Sequence, residues 1–468
     1  MTKKKGIWLL CFSIFLFITY SRSAVPPAQT EKQTTPPSKP ATIEEKFLFE
    51  IPPDAKDLNI SHDGNQVVWR AKKDKKWVMV VNGEQGPEFD KIEDPTISPD
   101  GRHLAYVAHR GKNKLVILDG KEHSKEYEFT AGGKLTFSSD SQHLAYFSGN
   151  WKRIVFVLDG QELGPEFMNR SPWSKPVMSP DGKHWAYWGG VGGISKHALV
   201  VDGSQPGYEM RVIWPMAGSV PNDVLGSQPV YSPDGQHLAF GALQNGKIVM
   251  VVDGKAGEQF YYVGEPVFSP DSQHLAYVAR GNKNPCVVVD GTPGPAFDSI
   301  QGGPIFSPDS RHVAYVAEKY EKREVKKFLV QVIDDQITYP TADSKIKGLA
   351  CLDLMFSPDS QRLVYVVGGS KSSSWTLSMS VKGYIVLDGR QYGPEQENIQ
   401  VLAFSPGSRF LAYYIGRGKK VSMVINDSEG RSYDGLWTNT LDFSTDEKQA
   451  TYIVREGNKL YRVNQTLY

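Results

Sequence analysis

The chain has 468 residues, of which 40% are hydrophobic and 22% charged, and its formal net charge is +1. This composition allows the packed cores of two or three ordinary domains, or one large repeat assembly. It excludes a protein that binds nucleic acid or membrane surfaces through bulk charge alone.

The N-terminus predicts export. Residues 3–5 are lysines, residues 6–20 are mostly apolar, and residues 21–23 include the small side chains that a signal peptidase reads. We expect a signal peptide at 1–24, cleaved after Ser23 or Ala24, because the apolar run is short for a bilayer span. A retained anchor is the alternative. Residues 25–44, rich in proline and threonine, predict an extended linker. The protein is then periplasmic or secreted, with repeats over residues 45–468.

A Ser-Xaa-Asp turn followed by a short apolar strand recurs along the rest of the chain. The clearest copies are Ser-Pro-Asp-Gly-Arg-His-Leu-Ala-Tyr at 98–106 and Ser-Pro-Asp-Gly-Gln-His-Leu-Ala-Phe at 232–240. The copies begin at Ser61, Ser98, Ser138, Ser179, Ser232, Ser269, Ser307, Ser357, Ser405 and Ser444, and in the copy at Ser405 glycine takes the place of the aspartate. A period near forty residues indicates one supersecondary unit copied many times.

Each unit reads as four short strands. In the unit around Ser269 the strands are predicted at 266–268, 274–279, 286–289 and 296–300, with Asp290-Gly291 as the turn before the last one. Asp-Gly between apolar runs is a strong hairpin signal. It recurs at Asp119, Asp159, Asp202, Asp253, Asp290 and Asp388. Strands such as Leu104-Ala105-Tyr106 are apolar on both faces, so each sheet must be covered on both sides.

These features predict an all-β fold, a β-propeller of four-stranded blades with about ten repeats, in one large ring or two smaller ones. The Ser-Pro-Asp-Gly-Xaa-Xaa-Leu-Ala-Tyr units resemble the WD40-like repeats of TolB-type propellers, although the Trp-Asp dipeptide of classical WD40 repeats is missing. That resemblance implies a bacterial periplasmic protein with protein partners. The last unit lacks a fourth strand, and residues 46–51 are predicted to supply it and close the ring.

Signatures of catalysis are missing from the sequence. It has no Gly-Xaa-Ser-Xaa-Gly elbow, His-Glu-Xaa-Xaa-His motif or Gly-rich phosphate loop. We therefore expect no enzyme, cofactor or metal. Six histidines share the position two residues after the turn, and we interpret them as strand-entry residues bonded to a neighbouring turn: His103, His143, His184, His237, His274 and His312. Cys286 and Cys351 are predicted to be buried, unpaired strand residues.

The links between the second and third strands are basic and predict a positively charged face that attracts an anionic partner. The candidate partner-binding residues there are Lys112, Lys114, Arg153, Arg280, Lys283, Arg417 and Lys419, with Trp214 and Trp375 on two longer insertions. Soluble hairpins without function are the alternative for the basic links. We expect a monomeric, non-catalytic scaffold that binds a protein or an anionic envelope component, without a nucleic-acid partner or a stable membrane span. A propeller enzyme or carbohydrate-binding module with a site at the central channel is the alternative.

Overall fold

The computed structural model describes residues 42–130, 135–150, 152–167, 175–190, 196–212, 224–225, 227–282, 284–321, 326–338, 349–369 and 382–468. Every regular element in these ranges is a β-strand. The predicted signal peptide, most of the linker, and the residues Lys283, Trp214 and Trp375 lie outside them. No helix in the described ranges is long and apolar enough to cross a membrane.

The strands follow one another in groups of about four, which we number as repeat sheets 1 to 10 in chain order. The first strand, β1 Ile43–Glu50, belongs to sheet 10. Sheet 1 holds β2 Lys56–Ile60, β3 Val67–Lys73, β4 Lys76–Val81 and β5 Glu84–Phe89. Sheet 2 holds β6 Lys91–Ile97, β7 Leu104–Arg110, β8 Asn113–Leu118 and β9 Lys121–Glu122. Sheet 3 holds β10 Phe129–Thr130, β11 Thr136–Phe137, β12 Leu144–Gly149, β13 Ile154–Leu158 and β14 Gln161–Phe167. Sheet 4 holds β15 Val177–Met178, β16 Trp185–Gly190, β17 Lys196–Val201, β18 Glu209–Val212 and β19 Val224–Leu225.

The second half of the chain repeats this order. Sheet 5 holds β20 Val230–Tyr231, β21 Leu238–Gln244, β22 Lys247–Val252 and β23 Lys255–Phe260. Sheet 6 holds β24 Tyr262–Val263, β25 Val267–Phe268, β26 Leu275–Arg280, β27 Cys286–Val289 and β28 Thr292–Ala296. Sheet 7 holds β29 Ser299–Phe306, β30 Val313–Glu321, β31 Lys326–Ile333 and β32 Gln336–Thr338, and sheet 8 holds β33 Leu349–Phe356, β34 Leu363–Gly369, β35 Lys382–Leu387 and β36 Arg390–Glu397. Sheet 9 holds β37 Gln400–Phe404, β38 Leu411–Arg417, β39 Lys420–Ile425 and β40 Ser428–Tyr433, and sheet 10 holds β41 Gly435–Phe443, β42 Gln449–Glu456 and β43 Lys459–Thr466.

All neighbouring strands pair antiparallel, as the hairpin signals predict, and the all-β fold of four-stranded sheets is confirmed. Sheets 4 and 5 form one continuous sheet through a single pair, Glu209 with Leu243. The predicted fourth strand at 296–300 is wrong. The turn at Asp290-Gly291 is so tight that β28 begins at Thr292 and ends at Ala296, while Ser299 already starts the next sheet.

Apolar side chains fill the space between each sheet and the next, and the clusters run in chain order from sheet 1 to sheet 10. A further cluster joins Ile453 and Leu460 of sheet 10 to Trp69 and Val80 of sheet 1. The contacts therefore make an unbroken circuit, which favours one ring over two. Cys286 and Cys351 are buried and unpaired within it, as predicted.

The ring is closed by the N-terminal strand, as predicted. The strand β1 pairs antiparallel with β43, from Ile43 opposite Gln465 to Glu50 opposite Lys459. It begins two residues before the boundary expected at 45. Since β1 completes the sheet of β41 to β43, the first and last described strands of the chain stabilise each other, and the edge of β43 is covered.

Because neighbouring strands are antiparallel, successive connections lie at opposite ends of the strands, and these two ends define two faces of the ring. The turn face carries the Ser-Xaa-Asp turns and the turns between third and fourth strands. The connection face carries the links between second and third strands and the links between successive sheets. Any side chain at a turn can therefore be assigned to one face from its place in the repeat.

On the turn face, the aspartate between the third and fourth strands forms hydrogen bonds to the start of the second strand of the same sheet. In sheet 6, Asp290 Oδ2 lies 2.7 Å from His274 Nδ1, and Asp290 Oδ1 accepts the backbone N–H of Leu275 at 2.9 Å. The same pairing recurs in sheets 2 to 5 and in sheet 7. The six histidines are therefore strand-entry residues bonded to a turn, as predicted. In sheet 8 an arginine, Arg362, takes the position, with Nε 3.3 Å from Asp388 Oδ2.

Neighbouring sheets are bonded through the fourth residue of the Ser-Xaa-Asp-Xaa turn. Ser310 Oγ of sheet 7 accepts the backbone N–H of Asp271 in sheet 6 at 3.0 Å. Ser141, Ser272, Ser360 and Ser408 make the equivalent bond to the preceding sheet. These serines have positive φ, 64° at Ser310, which normally favours glycine. The inter-sheet hydrogen bond offsets that conformational cost. It explains why serine can replace glycine as the fourth residue of the turn.

Candidate binding face

The connection face carries the predicted basic residues, and the structure pairs several of them with acids. Arg153 lies within 3.1 Å of Glu162 and 2.7 Å of Glu166, both in or beside the fourth strand of the same sheet. Arg417 contacts Glu429 in the same way at 2.9 Å. Since exposed pairs of this kind are stabilising by only about 0–1 kcal/mol, their main effect is to cancel charge.

Glu93 forms the most concentrated of these ion-pair clusters. It lies on the first strand of sheet 2 and binds His109 Nε2 at 2.9 Å, Lys114 Nζ at 3.1 Å, and Lys91. Burial raises the pKa of Glu93, but the hydrogen bonds from these three side chains outweigh it and hold the pKa at about 2. The predicted candidate Lys114 is thus engaged within the sheet.

Three predicted cations are exposed and outside any such pair. Lys112, Arg280 and Lys419 form no ion pair in the part of the chain that the structure describes. They lie on sheets 2, 6 and 9, at three separate places around the connection face. These three cations therefore lie apart on the connection face.

Aspartates in the links between sheets bind the neighbouring hairpins. Asp90 Oδ2 accepts the N–H of Gly111 at 2.7 Å, Asp298 Oδ2 accepts that of Tyr320 at 2.6 Å, and Asp434 Oδ2 accepts that of Gly457 at 2.7 Å. In each case the sequence before the aspartate ends in an aromatic residue, as in Pro87-Glu88-Phe89-Asp90. This link is a second structural use of carboxylates, on the face opposite the turns.

Sheet 6 departs from that pattern. The residue after Phe260 is Tyr261, where three other links have aspartate, and Tyr262 follows it. The backbone bond is kept, because Tyr261 N–H donates to the carbonyl of Arg280 at 2.8 Å. The two side chains are 49% and 38% exposed, and Lys247 Nζ lies 5.2 Å from the centroid of the Tyr261 ring. The polar cap is thus replaced by two accessible aromatic rings.

Tyr320 is a third exposed tyrosine on the connection face, in the neighbouring sheet 7, where its side chain is 42% exposed. It stands at the connection-face end of β30, and Arg280 stands at the corresponding end of β26 in sheet 6. We call Tyr261, Tyr262, Arg280 and Tyr320 the aromatic–arginine patch. Arg280 was predicted from the sequence, and the three tyrosines were not. The available signal was Tyr-Tyr after the aromatic Phe260, because Phe89, Phe297 and Tyr433 are each followed by aspartate.

Metal coordination has no support among the described residues, in which no group of three or more histidine, cysteine or carboxylate side chains is placed to hold an ion. The six turn-face histidines each bind a separate aspartate, at 2.7–2.8 Å. Zinc needs several ligands at about 2 Å from one ion. The arrangement of these histidines is a repeated hydrogen bond.

Comparison with known proteins gives structural neighbours only. No family model matches the chain, and no curated protein matches its sequence. Solved structures that match include a eukaryotic initiation factor, at 15% identity over 75% of this chain and 90% of that one, with a TM-score of 0.41. TolB from Acinetobacter baumannii matches at 16% identity, over 61% of this chain and 63% of that one, with a TM-score of 0.24. The β-propeller domain of the Trilobed protease from Pyrococcus furiosus matches at 12% identity, over 76% and 96%, with a TM-score of 0.28.

These neighbours include TolB, the class that the repeats resemble, and a named β-propeller domain. Their identities are all below 25%, and their TM-scores are all below 0.5. They say nothing about activity or partners. The propeller architecture itself is visible in the sheets and their circuit of contacts.

Proposed function

We propose that this protein is an exported, non-catalytic β-propeller that binds another protein through the connection face of sheets 5 to 7. The observation that carries the proposal is the aromatic–arginine patch, where a link that carries a capping aspartate at three other places in the chain has two exposed tyrosines. Tyrosine and arginine are enriched at the centres of protein interfaces, because they combine large contact area with hydrogen-bonding groups.

The charges around the patch support the same surface. Arg280 is exposed and has no ion pair in the described ranges, so its guanidinium is available to an external carboxylate. Elsewhere on the connection face, cations such as Arg110 already bind acids of their own sheet, here Glu122 at 2.5 Å and Glu126 at 2.8 Å. A partner with an acidic group beside an apolar surface fits the patch best.

Export is part of the proposal and rests on residues 1–24 of the sequence. It predicts that the mature protein begins at Ala24 or Val25 when a bacterial host expresses the full chain. N-terminal sequencing of the protein from a periplasmic extract tests this directly. A product that retains residues 1–23 would favour the retained anchor.

Site-specific photocrosslinking tests the binding face. A photoreactive phenylalanine analogue at Tyr262 samples the patch, and the same analogue at Gln273 samples the turn face of the same sheet. We expect one discrete adduct in envelope fractions from the Tyr262 variant and none from the Gln273 variant. Adducts of equal yield from both positions, or from Gln273 alone, would contradict the proposed face.

A further inference from the structure

A cavity of about 310 Å³ lies on the turn face, between sheets 6 and 7. Its apolar wall includes Val289, Phe306 and Tyr315, and its rim carries the carboxylates of Asp290, Asp334 and Asp335. The volume is at the lower end of the range for small-ligand sites. It is on the face opposite the aromatic–arginine patch, so any role it has is separate from the proposed function.

The rim departs from the repeat at Asp335. Most turns between third and fourth strands read Asp-Gly, as at Asp253-Gly254, whereas here the second residue is an aspartate at φ 62°. A non-glycine residue in this left-handed region costs about 1–2 kcal/mol. The carboxylate is accommodated because Gly294 faces it, and a Cβ on Gly294 would lie 2.6 Å from Asp335 Oδ1.

Sheet 9 provides an internal comparison, because Asp427 holds the equivalent turn position at φ 65°. The Asp427 carboxylate accepts hydrogen bonds from the hydroxyls of Tyr392 at 3.0 Å and Tyr413 at 3.4 Å. Tyr392 comes from the fourth strand of the preceding sheet. At the cavity that strand offers Pro293 and Gly294 instead, so no second tyrosine reaches Asp335.

Tyr315 gives the second, independent observation. It is the counterpart of Tyr413, its side chain is 1% exposed, and it lines the cavity. Its hydroxyl lies near the Asp335 carboxylate but forms no hydrogen bond of normal geometry with a described residue. Burial, together with the negative charge of Asp335, raises the pKa of Tyr315, so the hydroxyl stays neutral. A buried hydroxyl without a partner costs roughly 1–3 kcal/mol, which a ligand group can recover.

The charges of the cavity select a cation. Three carboxylates and the guanidinium of Arg311 line it. Two of the carboxylates are bound within their own sheets, Asp290 to His274 and Asp334 to His312, each at 2.7 Å. The carboxylate of Asp335 is outside these imidazole pairs. Val289 and Val313 supply apolar surface beneath the rim. An alkyl stem fits such a wall while its charged end stays at the carboxylates.

We propose that this cavity binds a guanidinium or ammonium group on an alkyl stem, with Asp335 as its principal carboxylate and Tyr315 as a hydrogen-bond partner. Arginine side chains of a polypeptide and free alkylguanidines share this chemistry. Arginine fits the rim better than lysine, because its planar donors can bind a carboxylate in a bidentate manner.

The test is calorimetric titration of the full mature chain with N-acetyl-arginine methylamide and with its neutral isostere, N-acetyl-citrulline methylamide. We expect the arginine probe to bind at least tenfold more tightly. Two further probes, agmatine and an alanine pentapeptide with a central arginine, distinguish a small alkylguanidine from an arginine side chain of a polypeptide. Tighter binding of the pentapeptide than of agmatine identifies a polypeptide ligand. Equal binding of the two identifies a small cation. Equal affinity for the arginine and citrulline probes would overturn the proposal.

Two substitutions make the test specific. Asp335→Gly restores the turn found in the other repeats, so it should leave the melting temperature unchanged or raised while reducing arginine affinity to the level of citrulline. Tyr315→Phe keeps the ring and should weaken binding severalfold. Asp427→Gly is the matched control and should lower the melting temperature without changing the affinity. Wild-type affinity in Asp335→Gly would contradict the assignment.

Discussion

Glu45 of β1 accepts a hydrogen bond from the hydroxyl of Tyr433 at 2.6 Å, across 388 residues of sequence. The same carboxylate binds Arg431 at 2.9 Å. Tyr433 lies in sheet 9 and Glu45 in sheet 10, so this contact joins two neighbouring sheets as well as the two ends of the described chain. Closure of the ring thus depends on side chains in addition to the β1–β43 pairing.

The closure predicts a measurable coupling. Glu45→Gln and Tyr433→Phe should each destabilise the protein, and their double-mutant cycle should give a coupling energy of about 1 kcal/mol, typical of one hydrogen bond. Deletion of residues 42–50 should lower the melting temperature much further, because it exposes the edge of β43. Glu44→Gln is the control on the same strand. An unchanged melting temperature after the deletion would mean that β1 does not close the ring.

The aspartate of the third-to-fourth-strand turn predicts a graded series at Asp290. Asp290→Asn should be mild, since Asn426 in sheet 9 holds the same place and accepts the N–H of Leu411 at 2.8 Å. Asp290→Ala loses the acceptor for Leu275 and leaves alanine at φ 48°, a conformation that aspartate adopts more readily because its short polar side chain hydrogen-bonds locally, so it should cost about 2 kcal/mol. Urea unfolding measures both. A loss in the asparagine variant as large as that in the alanine variant would contradict this role.

The inter-sheet hydrogen bond of Ser310 predicts that the glycine variant at this position is more stable than the alanine variant. Ser310→Ala loses the bond to Asp271 and leaves alanine at a φ of 64°, whereas Ser310→Gly loses the same bond without strain. Glycine should therefore be less destabilising than alanine by about 1 kcal/mol. Equal losses, measured by thermal unfolding, would show that the hydrogen bond alone decides the choice of residue.

The turn aspartates predict acid sensitivity. Hydrogen bonds from Ser307 Oγ and from backbone N–H groups outweigh burial and lower the pKa of Asp309, and similar bonds lower that of Asp271. Because folding lowers these pKa values, the stabilisation is present above the ordinary aspartate range and is lost as the pH falls through the folded-state value. The stabilisation from these aspartates should be nearly constant from about pH 7 to 5 and decrease below about pH 4. The difference between wild type and Asp309→Asn should shrink over the same interval, and a difference independent of pH would contradict this assignment.

The sequence pattern predicted the sheets because each repeat carries its own turn chemistry and apolar strands. It also predicted the role of His274, since one position recurring six times indicates a structural use. The fourth strand was misplaced because Gly and Pro at 291–295 resemble a loop, although those residues pair at the edge of β27. The charge of the connection face was overestimated. Partners such as Glu162 for Arg153 are set by strand register, which the basic links do not reveal.

The two candidate sites at Tyr261 and Asp335 were not predicted from the sequence. Tyr261 and Asp335 are ordinary residue types, and each is informative only when compared with its counterparts in the other repeats. Tyr261 takes a position that holds a capping aspartate in three other links, and Asp335 takes a turn position that is glycine in most repeats. Positions where the sequence departs from the repeat are therefore the best candidates for residues that bind a partner or ligand.

The central claim is that the connection face of sheets 5 to 7 binds a protein partner. It is tested most directly by the affinity of the crosslinked partner, once purified, for wild type and for Arg280→Glu. Arg102→Glu, at an exposed position on the turn face of sheet 2, is the matched control. We predict that Arg280→Glu weakens binding at least tenfold, about 1.4 kcal/mol, and that Arg102→Glu leaves it unchanged. Unchanged affinity in Arg280→Glu, or an equal loss in both variants, would contradict the account.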